Sequence, residues 1–109
     1  MTPINPDTLT QTLALAFGNM RNRALQQKDD GTMNFDAPVL TGLNRKDRQT
    51  AETVLTTLGI KGYWSRVEKG IVLEPGIKHT GQPRTDAAEY IAASLNNAGF
   101  SATVIHSTI

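Results

Sequence analysis

Twice along this chain an apolar stripe at helical spacing runs into a glycine followed by an apolar residue. Ala51, Val54, Leu55 and Leu58 lead to Gly59-Ile60, and Ala88, Ile91, Ala92, Leu95 and Ala98 lead to Gly99-Phe100. Glycine takes the left-handed conformation after a helix cap without the clash a Cβ brings, and the apolar residue behind it folds back on the last turn. Both segments are therefore predicted helices with defined ends, closed by contacts of Ile60 with Leu55 and of Phe100 with Leu95. Their starts carry cap chemistry: Asn44 with Asp47 in a box-like arrangement for the first, and Asp86 with Glu89 as a capping pair for the second.

Between these helices, Tyr63-Trp64-Ser65-Arg66-Val67 and Ile71-Val72-Leu73 are rich in strand-favouring residues and are separated by Lys69-Gly70. That pattern predicts a hairpin. After the second helix, Phe100, Ala102 and Val104 alternate with Ser101 and Thr103, as in a strand with one buried face. Upstream, Asn5-Pro6-Asp7 combines an Asx cap, a proline where its missing N–H costs nothing, and a carboxylate at the positive end of the dipole. The helix it opens is expected over about 6–28, with Leu9, Leu13, Ala16, Phe17, Met20 and Ala24 on one stripe. The stretch from Asp29-Asp30-Gly31 to Leu43 contains Pro38, Gly42 and alternating Met33 and Phe35, and is expected to be a loop with one short extended piece.

These elements make one α+β domain over residues 1–109. The expected architecture is a small three-stranded, mostly antiparallel sheet, formed by the hairpin and the C-terminal strand and covered by two to three helices. The order is α-(loop)-α-β-β-α-β, with the N-terminal helix at about 6–28 and the α-β-β-α-β unit at about 44–107. At 109 residues the chain has room for one core and no second domain.

Composition excludes more than it selects. With no cysteine, disulfides, thiolate nucleophiles and thiolate metal sites are ruled out. Only His79 and His106 remain as imidazole ligands, without carboxylates at ligand spacing, so neither a metal nor another cofactor is expected. The longest apolar run, Leu13 to Phe17, is far shorter than the roughly 20 residues of a bilayer span. No membrane partner is expected, and a cytoplasmic location is. Ser65 lacks the glycine context of a nucleophile elbow, and the carboxylates Asp47, Asp86 and Glu89 have capping duties. Gly76 to Gly81 matches half of a phosphate loop, but Gln82-Pro83 stands where lysine and a hydroxyl residue are needed. The chain is accordingly expected not to be an enzyme.

Charge is unevenly distributed. The chain as a whole carries +1, whereas residues 44 to 84 hold a local balance of +4 against flanks of −1 and −2. The loop 75–84, bounded by prolines and glycines and carrying Lys78, His79, Gln82 and Arg84, stands directly before a helix start. The leading expectation is a non-catalytic protein-binding module, an adaptor or stoichiometric inhibitor of a larger protein. Lys78, His79, Gln82, Arg84, Arg66 and Lys69 would be its contacts. A nucleic-acid-binding protein is the alternative, using Arg45, Lys46 and Arg48 with Tyr63 and Trp64 as stacking surfaces. A small anionic ligand, or an enzyme acting on one, at the start of the last helix is the third. Each has a plain counter-reading: the aromatics as core, the cations as a solvated rim, the loop as an ordinary crossover. The stripe Leu9, Leu13, Phe17 and Met20 could also pair two copies in a homodimer, but packing into the core is the favoured reading of it.

Overall fold

A computed structural model describes residues 3–25, 36–75 and 82–106. The elements run α1 (Pro6–Leu25), β1 (Ala37–Thr41), α2 (Arg45–Leu58), β2 (Gly62–Ser65), β3 (Gly70–Leu73), α3 (Gln82–Asn97) and β4 (Ser101–Ile105). The four described strands form a single antiparallel sheet in the order β2-β3-β1-β4. The α+β class expected from sequence is thus found, with a fourth strand added. Stripped of α1, the chain reads β-α-β-β-α-β with two interleaved crossovers, the ferredoxin-like arrangement. Such a topology hosts many functions and assigns none.

The added strand is the extended piece foreseen between Asp29 and Leu43, and it lies at the sheet centre. It separates the C-terminal strand from the hairpin, so β4 pairs with β1 and not with β2 or β3. Pro38 sits inside this central strand, where a missing N–H normally costs a ladder bond. Register explains the tolerance. The ladder from β1 to β3 starts at Val39↔Val72, one residue beyond the proline. Opposite β4, Pro38 faces Val104 in a pair that needs no donor from it.

Local chemistry accounts for the helix boundaries. Asn5 Oδ1 accepts from the N–H groups of Asp7 and Thr8 at 2.9 and 3.0 Å, as an N-cap does. Asn44 Oδ1 accepts from Asp47 N at 2.8 Å. The Asp47 side chain completes no reciprocal box: it is buried and accepts from the Ile4 N–H at 3.2 Å, pinning the start of α1 to the start of α2. At the far ends, Ile60 N bonds Leu55 O and Gly59 N bonds Thr56 O; Phe100 N bonds Leu95 O and Gly99 N bonds Asn96 O. Both glycines have positive φ, 72° and 95°, so both endings are Schellman motifs. The start of α3 departs from expectation. It begins at Gln82, four residues before Asp86, with Pro83 in its first turn, so Asp86 and Glu89 are not caps.

All three helices share one core. Leu9, Leu13, Ala16, Phe17 and Met20 of α1, Ala51, Val54 and Leu55 of α2, and Ala87, Ile91 and Leu95 of α3 pack with Leu40, Ile71 and Leu73 of the sheet. The α1 stripe that could have paired two copies is therefore consumed within the chain, packed against α2 and α3. Alternate strand residues Ala37, Val39 and Val72 form a smaller cluster on the opposite sheet face, with Ile105 against it. Among the described residues no helix is long and apolar enough to cross a membrane.

Candidate functional site

Strand directions sort the polar residues to two ends of the sheet. One end gathers the start of α2, the β2–β3 turn and the start of β4; the other gathers the start of β1, the ends of β3 and β4 and the start of α3.

The second end holds the tightest polar cluster. Asp36, immediately before β1, is buried, and its Oδ2 receives the Thr85 hydroxyl at 2.7 Å and meets His106 Nδ1 at 2.9 Å. Arg84 Nε donates to the Asp36 carbonyl at 2.9 Å, and the same guanidinium lies 3.4 Å from Glu74. The imidazole of His106 is mostly exposed, so its contact with Asp36 orients an otherwise solvated ring. Chemically this is a carboxylate positioning an imidazole. The one described hydroxyl within reach of that carboxylate, on Thr85, already spends its proton on it. The cluster ties β1, β3, β4 and α3 together, and among the described residues no three metal-ligating side chains converge.

The sequence candidates divide between the two ends. Gln82 is exposed and donates to Asp86 at 2.7 Å, while Arg84 is buried in the cluster just described. Lys78 and His79 lie outside the described residues. Around the start of α3 the described side chains include three carboxylates, Asp36, Glu74 and Asp86, against Arg84 and the imidazole of His106. An anionic ligand finds no described donor cradle there.

Arg66 and Lys69 stand at the opposite end, both exposed in the hairpin turn, where Lys69 has a φ of 54°. Between them Val67 is 88% exposed, the most exposed large apolar side chain among the described residues. Arg45 and Lys46, in the first turn of α2, are exposed at this same end. Arg48 is half-buried, bonded to Glu52 at 2.7 Å and stacked 4.4 Å from the centre of the Trp64 ring.

The aromatic pair separates. Trp64 faces the helices and packs on the main core, whereas Tyr63 pairs across from Val72 on the other face and is 64% exposed. Adjacent strand residues point to opposite faces, so the two rings cannot form one stacking platform. A shallow cleft of about 310 Å³ runs beside Trp64, bounded by Glu52, Leu55, Thr56 and Ile60.

Sequence reasoning missed Asp36, Glu74, Thr85 and His106 as a group because 49 and 70 residues separate Asp36 from Thr85 and His106. The available signal was local: a lone carboxylate directly before the apolar run Ala37-Pro38-Val39-Leu40. Comparison of the chain with family models, curated proteins and solved structures returned no match.

Proposed function

We propose that the chain is a non-catalytic protein-binding module, an adaptor or stoichiometric inhibitor, that meets its partner with the β2–β3 hairpin. The observation that carries this reading is the turn itself. Val67 stands almost fully exposed between two exposed cations, Arg66 and Lys69, on a paired two-strand support, with exposed Tyr63 on the adjoining strand. Tyrosine and arginine around an exposed apolar residue are the residue types that dominate binding hot spots. The polar cluster at the other end is internally bonded, which favours the hairpin over the α3 start as the contact.

The test is affinity capture from cell extract with the wild-type chain and with Val67→Ser combined with Arg66→Ala. Protein captured by the wild type and lost by the variant at an unchanged melting temperature supports the reading. Equal capture by both removes the hairpin from it.

A nucleic-acid partner is the second reading, favoured by the convergence of Arg45 and Lys46 with Arg66 and Lys69 at one sheet end. Anisotropy of labelled single- and double-stranded oligonucleotides decides it: affinity should fall with a log–log salt slope of about 0.9 per phosphate neutralised. Absence of binding at low salt eliminates this partner class.

A further inference from the structure

An edge strand offers its outward N–H and C=O groups to any strand that approaches, and proteins guard such edges with charge, proline or a covering element. Among the described strands the sheet has two edges, β2 and β4. β2 is flanked by the exposed cations Lys61 and Arg66. β4 carries no such charge, since no charged residue occurs from Ala98 through Ile105.

What β4 has instead is Asn96. From the last turn of α3 its side-chain amide donates to the Ala102 carbonyl at 3.0 Å and accepts from the Ala102 N–H at 2.9 Å. In an antiparallel ladder a hydrogen-bonded residue pair exchanges these same two bonds. Asn96 thus occupies the place of a residue on a fifth strand. Ala102 pairs with Leu40 and Val104 with Pro38, and a proline cannot donate in the pair. The two-residue period then turns the backbone groups of both Ala102 and Val104 away from β1.

We infer that Asn96 is an edge guard that keeps β4 from pairing with β4 of a second copy. The unguarded strand is self-complementary. With Thr103 on a two-fold axis, Ala102 of one copy falls opposite Val104 of the other, and both outward pairs close antiparallel bonds in one continuous sheet, an isologous contact. No charge on either strand opposes this, and the helices pack on one face of the sheet. The amide of Asn96 fills half of the docking site and so blocks the register in which the two pairs form together.

Sedimentation of wild type, Asn96→Ala, and Asn96→Ala with Thr103→Lys over a wide concentration range tests the guard. The single variant is expected to shift toward twice the monomer mass at high concentration, beyond any shift of the wild type. Thr103→Lys, which places two like charges on the axis, is expected to reverse it. No added association in Asn96→Ala, or association that Thr103→Lys leaves intact, overturns the inference. Should Asn96→Ala not fold, amide exchange in the wild type provides an independent measurement. Ala102 should be protected while Val104 exchanges as an exposed amide. Equal protection of the two shows that something other than Asn96 covers the edge.

Discussion

Thr85 donates its hydroxyl hydrogen to the buried carboxylate of Asp36 at 2.7 Å, joining the first turn of α3 to the residue immediately before the central strand. A carboxylate this deeply buried is tolerable only when donors replace the water it has lost. The replacements include Thr85 and His106, with Arg84 holding the same residue by its backbone. The cluster is the point at which the start of β1, the start of α3 and the end of β4 are fixed to one another.

Thr85→Val keeps the side-chain shape and removes the donor. It leaves a buried charge with one partner fewer and should destabilise the fold by about 1–3 kcal/mol. Urea denaturation measures this, and Thr85→Ser, which restores the hydroxyl, should recover most of the loss. A Thr85→Val variant as stable as wild type would show that the carboxylate draws its support elsewhere.

The central strand and this cluster were the parts of the molecule hardest to read in the sequence, for connected physical reasons. Ala37 to Leu40 are all buried, because β1 has neighbours on both sides and apolar residues on both faces, so the run shows no alternation. Pro38 further argued against a central strand, and only the register with β3 and β4 shows why it fits. Helix endings and β4, by contrast, were legible. Gly59, Gly99 and the alternation from Phe100 to Val104 are local signals that depend on a few adjacent residues. Arg84 reads as a surface cation when Asp86 is taken as the cap of α3. Pro83, a first-turn proline, was the overlooked marker of the earlier start.

Glycine substitutions separate close approach from helix propensity. A Cβ at Gly70 would lie 2.5 Å from the Leu40 carbonyl oxygen and 2.8 Å from Val39 Cγ1, so the glycine serves strand packing and leaves the positive φ of the turn to Lys69. Gly70→Ala should destabilise by about 1–3 kcal/mol through forced backbone shifts. Gly18, exposed within α1, has nothing within 4 Å of its would-be Cβ. Gly18→Ala should stabilise by about 0.5–1 kcal/mol. Thermal melts of the two variants should move in opposite directions, and a shared direction would contradict the packing at Gly70.

Helix α1 is part of the core and not an arm. Leu13 has no accessible surface and belongs to the core cluster drawn from all three helices and the sheet. Leu13→Ala should cost about 2–5 kcal/mol, as large-to-small changes in closed cores do. Leu15, two residues on and 67% exposed, should tolerate alanine within about 0.5 kcal/mol. Equal effects at the two positions would mean that α1 is not docked by its stripe.

Tyr63 and Trp64 are neighbours in sequence with different work to do. Trp64 lies on the helix side with Arg48 over its ring, where the stack adds about 0.5–1 kcal/mol to its packing. Tyr63 touches the other face chiefly through its cross-strand position opposite Val72, an arrangement worth about 0.2–1 kcal/mol. Trp64→Ala should therefore lower the urea midpoint well beyond Tyr63→Ala. Partner capture should respond in the reverse order, with Tyr63→Ala losing protein bound at the hairpin while the fold is kept. Loss of binding in both aromatic variants at full stability would overturn this division of work between the two rings.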